Sequence, residues 1–208
     1  MGFFVMVTRV EPLHAVEVRV LGALIEKDIT TPEYYPLTVN SLQNACNQKS
    51  SRDPVVQFDE QTVEQALELL KNKHLVVRIS GAGHRVEKFG HRMGETLNLG
   101  RREMALLCVL MLRGPQTVGE LRGRTERMHD FADLEEVERV LETLEKSALV
   151  ARASRGRWVQ LLGGVVEVED SQPAAVARTP LEERVTSLER EIERLKQQLQ
   201  EKLGESFD

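Results

Sequence analysis

Val63-Glu-Gln-Ala-Leu-Glu-Leu-Leu-Lys-Asn-Lys-His-Leu-Val-Val-Arg78 and Val137-Glu-Arg-Val-Leu-Glu-Thr-Leu-Glu-Lys-Ser-Ala-Leu-Val-Ala-Arg152 read as one segment written twice, 74 residues apart. Upstream, Thr38-Val-Asn-Ser-Leu42 matches Thr117-Val-Gly-Glu-Leu121 at a separation of 79, and the apolar stretch Glu17 to Ile25 matches Glu103 to Met111 at 86. The order of the matches is kept while their separation shrinks. The chain is therefore an internal duplication whose first copy has the longer loops, with 7 extra residues before its second helix and 5 after it.

Within each copy the hydrophobic period changes in the same way. Val16, Val20, Leu21, Leu24 and Ile25 share one helical face, as do Met104, Leu107, Cys108 and Met111. A short second helix follows, with Thr38 or Thr117 placed to cap it. The third helix carries Val63, Ala66, Leu67 and Leu70 in one copy and Val137, Val140, Leu141 and Leu144 in the other. Strand-like residues around a glycine turn come next: Leu75–Ile79, Gly81–Gly83 and Val86–Phe89, mirrored by Leu149–Ala153, Ser154–Gly156 and Trp158–Leu161. Helix, helix, helix, hairpin is the winged-helix order, a relative of the helix-turn-helix. The fold class expected is thus mainly α with small β-hairpins (α+β), arranged as two tandem winged-helix domains.

Composition agrees. The 208 residues suffice for one large domain or two small ones, and 41% hydrophobic residues with regular spacing describe a globular chain. With only 4% aromatics, the core has to be built from Leu, Val and Ala, which favours helices. Cys46 and Cys108 both fall in helical segments and give no disulfide framework, which points to a reducing cytoplasm. The apolar run Phe3–Val7 is too short for a signal peptide or a membrane span. Residues 1–162 hold 22 basic and 22 acidic side chains, whereas residues 163–208 hold 6 and 11. The globular part is neutral, so any attraction to nucleic acid has to come from a local patch.

Three stretches, Leu24-Ile-Glu-Lys27, Thr30-Thr-Pro-Glu-Tyr-Tyr-Pro-Leu-Thr38 and Ala45-Cys-Asn-Gln-Lys-Ser-Ser-Arg-Asp-Pro-Val55, resemble the signature of the YceH family of bacterial proteins. The resemblance covers about residues 12–162, with one departure at Ser51, where the family pattern leads us to expect asparagine. It implies the tandem winged-helix fold and leaves the activity open.

Residues 30–55 contain the two insertions peculiar to the first copy. Pro32, Pro36 and Pro54 stiffen these loops. Tyr34 and Tyr35 are expected to pack the long loop onto its own domain. Lys49 and Arg52 are either backbone-phosphate contacts or, in the case of Arg52, an internal partner of Asp53 or Glu60. The exposed positions of the third helices are acidic: Glu60, Glu64 and Glu68 with Gln61, Gln65 and Lys71 in one, and Glu135, Glu136, Glu138, Glu142 and Glu145 with Arg139 in the other. Glutamate facing phosphate is repelled, so neither third helix is suited to the major groove. The basic residues gather elsewhere: Arg85 and Lys88 beside the first hairpin turn, Arg152, Arg155 and Arg157 around the second, and Arg122, Arg124 and Arg127 in the turn of the second copy. Nucleic-acid contact is expected through these wings and turns. The alternative is a scaffold whose winged helices bind a protein partner.

Residues 1–11 read as an N-terminal extension, 12–98 and 99–162 as the two domains, and 163–180 as a flexible linker. From 181 to 203, Leu181, Val185, Leu188, Ile192, Leu195 and Leu199 repeat with spacing 4, 3, 4, 3, 4. β-Branched residues at a and Leu at d favour a two-stranded parallel coil, so a homodimer is expected. His14, His74, His84, His91 and His129 show no metal-site spacing with cysteine or carboxylate. Gly81-Ala-Gly83 lacks the strand and helix that frame a phosphate loop. No enzyme, no cofactor and no membrane attachment are expected.

Overall fold

Two long apolar helices, one per copy, lie at the centre of the hydrophobic core of the described residues. The structure is a computed structural model and describes residues 11–79 and 86–164. In α1 (Ala15–Thr30) every residue from Glu17 to Ile25 is buried, and in α5 (Arg101–Arg113) every residue from Ala105 to Leu112. A helix buried on all sides needs neighbours on all sides, and α1 packs on α2 (Val39–Cys46), α3 (Glu60–Asn72) and α5. The one-sided stripe predicted from spacing is therefore too narrow for both helices.

The helices begin and end where local chemistry dictates. Thr38 caps α2 by accepting from the Ser41 N–H at 3.3 Å, and Thr117 caps α6 (Val118–Thr125) by accepting from Glu120 at 3.3 Å. The Glu120 carboxylate accepts in return from the Thr117 N–H at 2.9 Å, a closed capping box. Asp59 and Asp133 open α3 and α7 (Leu134–Lys146) in the same way. Both third helices stop on a left-handed residue, His74 (φ 58) and Ala148 (φ 55). There the N–H of Leu75 returns to Leu70 and that of Leu149 to Leu144, which satisfies carbonyls the helix end would leave open.

A hairpin follows each third helix. β1 (Val76–Ile79) pairs antiparallel with β2 (Lys88–His91), running from Val76 opposite His91 to Ile79 opposite Lys88. A short α4 (Met93–Leu97) then leads into the second copy. There β4 (Val150–Arg152) pairs with β5 (Arg157–Gln160), and β3 (Gln116–Thr117) adds to the other edge of β5. Leu37, one residue before the α2 cap as Gln116 is before the α6 cap, bridges Phe89 just as Gln116 pairs with Trp158. The two copies thus share even this minor strand. Among the described residues the fold is α+β, with seven α-helices and two small antiparallel sheets. None of these helices is long and apolar enough to cross a membrane.

One hydrophobic core runs without interruption from Leu13 to Leu162. The copies meet at Gly22 of α1, where an added Cβ would lie 3.0 Å from Leu112 Cδ2 and 3.3 Å from Met111 Cβ. Cys108 Sγ donates to the Gly22 carbonyl at 3.3 Å. Gly22 and Cys108 are counterparts in the duplication, separated by the same 86 residues as Glu17 and Glu103. A residue that touches its own counterpart is what a local twofold relation produces. The small Gly22 is what lets α1 and α5 approach this closely.

Candidate functional site

The long loop after α2 is pinned from beneath by two buried arginines. Arg52 has a fully buried side chain. Its guanidinium donates to Glu26 Oε2 at 2.6 Å and Oε1 at 3.0 Å, and to the carbonyls of Ala45 at 2.8 Å and Ser51 at 2.9 Å. A further bond runs to Gln48 Oε1 at 3.1 Å, and Nε also donates to the Ala45 carbonyl. Every donor is engaged within the protein, so the expectation of a phosphate contact at Arg52 is corrected. Its internal partner is Glu26 of α1, not Asp53 or Glu60. Arg19, also buried, donates to the carbonyls of Cys46 at 3.3 Å and Pro54 at 2.6 Å. The two cations thus sit at the C-terminal end of α2, where its carbonyl dipoles are negative. Burial pushes the Cys46 thiol up to about 12, outweighing both arginines, so this cysteine stays protonated.

Above this floor, residues from both copies line a cleft of about 410 Å³. Lys27 comes from the end of α1, Lys49 from the loop, Arg113 from the last turn of α5, and Arg124 and Arg127 from α6 and the turn after it. Val109, Leu112 and Met128 supply an apolar wall. Lys27 lies 3.7 Å from Glu26, and Arg124 lies 3.2 Å from Glu120 and donates to Gln116 at 2.7 Å. Among the described residues, Lys49, Arg113 and Arg127 have no ion-pair partner. Arg113 donates to Ser51 Oγ at 2.7 Å, and burial together with Arg124 and Arg52 weakens its hold on its proton. Ser51 has φ 59, a left-handed conformation at the rim of the cleft that Arg52 and Arg113 hold from two sides. The sequence suggested Lys49 in the first copy and the turn of the second copy with Arg124 and Arg127 as separate contacts; the fold brings them together, and it adds Lys27 and Arg113.

The other basic residues are placed differently. Arg122 donates to the carbonyls of Phe131 and Ala132, which fastens the turn before α7. In the second hairpin Arg152 lies 4.5 Å over the Trp158 ring and 3.8 Å from Glu142, while Arg157 donates to the Pro115 carbonyl at 2.9 Å. Arg155 stands exposed at the tip with φ 58. Lys88 is half-buried on β2. Arg85 lies outside the described residues, as do Leu181, Val185, Leu188, Ile192, Leu195 and Leu199 of the expected dimer seam. Tyr35 packs as expected, its oxygen accepting from the His91 N–H at 2.6 Å, but Tyr34 is 70% exposed. That is a correction: the turn Pro32–Tyr34 directs the two neighbouring tyrosines to opposite environments.

The exposed faces of α3 and α7 are acidic as read, with Glu64, Glu68, Glu138, Glu142 and Glu145 all exposed. Leu69 stands 44% exposed among Glu64, Gln65 and Glu68. His91, at the end of β2, has a buried imidazole, its Nε2 3.3 Å from Asp28 Oδ2 but poorly aligned for a hydrogen bond. Burial holds its imidazole below the ordinary range despite the carboxylate.

Fold and site together define a duplicated α+β protein with a basic cleft where its two copies meet. The chain matches the family model described as "Protein of unknown function, DUF480" over residues 13–157. It is 55% identical over 192 residues to a UPF0502 protein of Solibacter usitatus, covering 88% of this chain and 93% of that one. It is 50% identical over 193 residues to one of Opitutus terrae, covering 88% and 83%, and 44% identical over 201 residues to one of Serratia proteamaculans, covering 90% and 94%. The chain belongs to the YceH or UPF0502 family, as its signature segment suggested.

Proposed function

We propose that this chain is a non-enzymatic protein of two tandem winged-helix units that binds nucleic acid through backbone contacts. The winged-helix reading is supported by the element order of each copy, with its capped second helix, third helix and hairpin. The observation that carries the binding reading is the second hairpin. Arg152 at the end of β4, Arg155 in the turn and Arg157 at the start of β5 stand exposed together, two of them already oriented, by the Trp158 ring and by the Pro115 carbonyl. Pre-oriented cations at a hairpin tip suit phosphate or minor-groove contact, and the acidic third helices argue against major-groove insertion.

The test is fluorescence anisotropy with random-sequence duplex DNA at low and moderate salt. Binding should weaken steeply with salt, and changing Arg152, Arg155 and Arg157 together to Ala should abolish it or reduce the logarithmic salt slope by up to about 2.7, at about 0.9 per lost phosphate contact. Absence of binding at low salt overturns this reading.

A protein-scaffold reading is favoured by one observation, the exposed Leu69 ringed by acidic α3 residues, which suits a partner with basic and apolar side chains. Salt separates the two, because an apolar protein interface changes little with ionic strength. The seam from Leu181 to Leu199 supports pairing of two chains in parallel, which light scattering on the full chain and on a version ending at residue 164 would test.

A further inference from the structure

We infer that the cleft between the two copies is a binding site for a small molecule carrying several phosphate groups, separate from the DNA-contacting hairpin. Five cationic side chains converge there from segments far apart in sequence. Glu26, the acid among the lining residues, serves Arg52 and Lys27, and Glu120 serves Arg124. Asp53 borders the adjoining recess of about 220 Å³ without an ion-pair contact to Arg113 or Arg124. Lys49, Arg113 and Arg127 thus have no ion-pair contact among the described residues and stand together on one concave surface, with Glu26 and Asp53 only partly offsetting the charge of Arg113.

Like charges gathered in a concavity repel one another and raise the local potential, and a half-buried arginine without a counter-charge adds a desolvation cost. The fold holds this arrangement with dedicated parts: the Arg113 bond to Ser51, the left-handed Ser51 backbone and the buried Arg52 beneath it. A bound polyanion would relieve the repulsion, and guanidinium forks match phosphate oxygens in pairs. The volume lies at the lower end of the range typical of small-molecule pockets, about 300–1,000 Å³. The lining residues include no aromatic ring, so recognition rests on the phosphate groups and not on stacking a base. The charges surround a recess, a shape that admits a compact anion more readily than the backbone of a rigid duplex.

Inorganic tripolyphosphate serves as the probe. The full chain is titrated calorimetrically at fixed ionic strength, with thermal unfolding followed in parallel, since a ligand of the folded state raises the transition in step with the logarithm of its concentration. One site per chain is expected. Lys49→Gln and Arg127→Gln, both at exposed positions, should each weaken binding about tenfold while leaving the unliganded transition in place. The triple Ala variant at Arg152, Arg155 and Arg157 should bind the probe within twofold of the parent chain. The inference is overturned if no saturable site remains at matched ionic strength, or if the hairpin variant loses the probe as fully as the cleft variants. It is also overturned if Lys49→Gln and Arg127→Gln weaken duplex DNA while tripolyphosphate never binds, which would assign the cleft to the DNA surface. Failure of DNA binding with the probe site intact would count against the hairpin reading alone.

Discussion

Replacing Arg52 with alanine distinguishes a buried strut from a nucleic-acid contact. The substitution strips Glu26 of its bidentate partner and leaves the carbonyls of Ala45 and Ser51 without their side-chain donor. Removing one member of a buried pair costs about 3–5 kcal/mol. Glu26 is 14% exposed and keeps Lys27 at 3.7 Å, so about 3 kcal/mol applies here. Carbonyls losing a charged donor add about 1 kcal/mol. With a urea dependence of about 2.5 kcal/mol per M, the total of about 4 kcal/mol lowers the unfolding midpoint by about 1.6 M. Arg52→Lys keeps the charge but not the fork and should recover about half of that shift. Circular dichroism in urea reads the midpoint, and anisotropy under folding conditions reads DNA affinity, which should change less than twofold. A midpoint shift under about 0.4 M together with a tenfold loss of DNA affinity would refute the assignment of Arg52 to the interior.

Other perturbations probe the remaining parts. Ala148→Gly relieves a left-handed residue at the end of α7 and should stabilise the fold by about 0.5 kcal/mol after the entropic cost of glycine, seen as a small rise in the urea midpoint. Gly22→Val drives side-chain atoms into Leu112 and Met111 and should cost about 2 kcal/mol or more; an unchanged midpoint would show that the α1–α5 contact is looser than described. His91 is held below the ordinary imidazole range by burial, so the unfolded chain binds the proton more readily than the folded one. Stability should therefore fall as pH drops below about 6.5 and hold level above it, and His91→Asn should flatten that dependence in urea unfolding at pH 5.5 and 7.5.

The order of elements was legible in the sequence because local chemistry sets it twice. Thr38 and Thr117 cap their helices as the sequence predicts, and the separations of 86, 79 and 74 survive as α1 to α5, α2 to α6 and α3 to α7. What escaped the reading depends on contacts remote in sequence. Arg19 sits within the apolar run of α1 and could have been flagged as a buried charge, but its acceptors lie 27 and 35 residues away. Arg52 lies in a polar loop that looks solvated, and only the approach of Glu26 from α1 turns it inward. Arg113 reads as an ordinary cation in the last turn of a helix, and Lys27 likewise. Neither suggests a site until the two copies are packed together.

Ser51 joins the legible and the hidden parts. The family pattern leads one to expect asparagine there, and the structure supplies a reason: φ 59 is a conformation that asparagine tolerates better than serine. Serine keeps a short polar side chain, and its hydroxyl accepts from Arg113 across the junction of the copies. The left-handed residue is thus coupled to the cation at the end of α5, and through its carbonyl to Arg52. The counterpart loop of the second copy, between α6 and α7, is five residues shorter, because it lacks the residues inserted after the second helix of the first. Duplication produced two similar units, and the longer loop of the first contributes Lys49 and Ser51 to a cleft that both units line. Ser51→Gly, which keeps the left-handed backbone but removes the hydroxyl that Arg113 holds, should therefore weaken tripolyphosphate binding while leaving the second hairpin and its DNA contacts unchanged, and equal loss of both in a folded variant would mean that the hairpin and the cleft form a single surface.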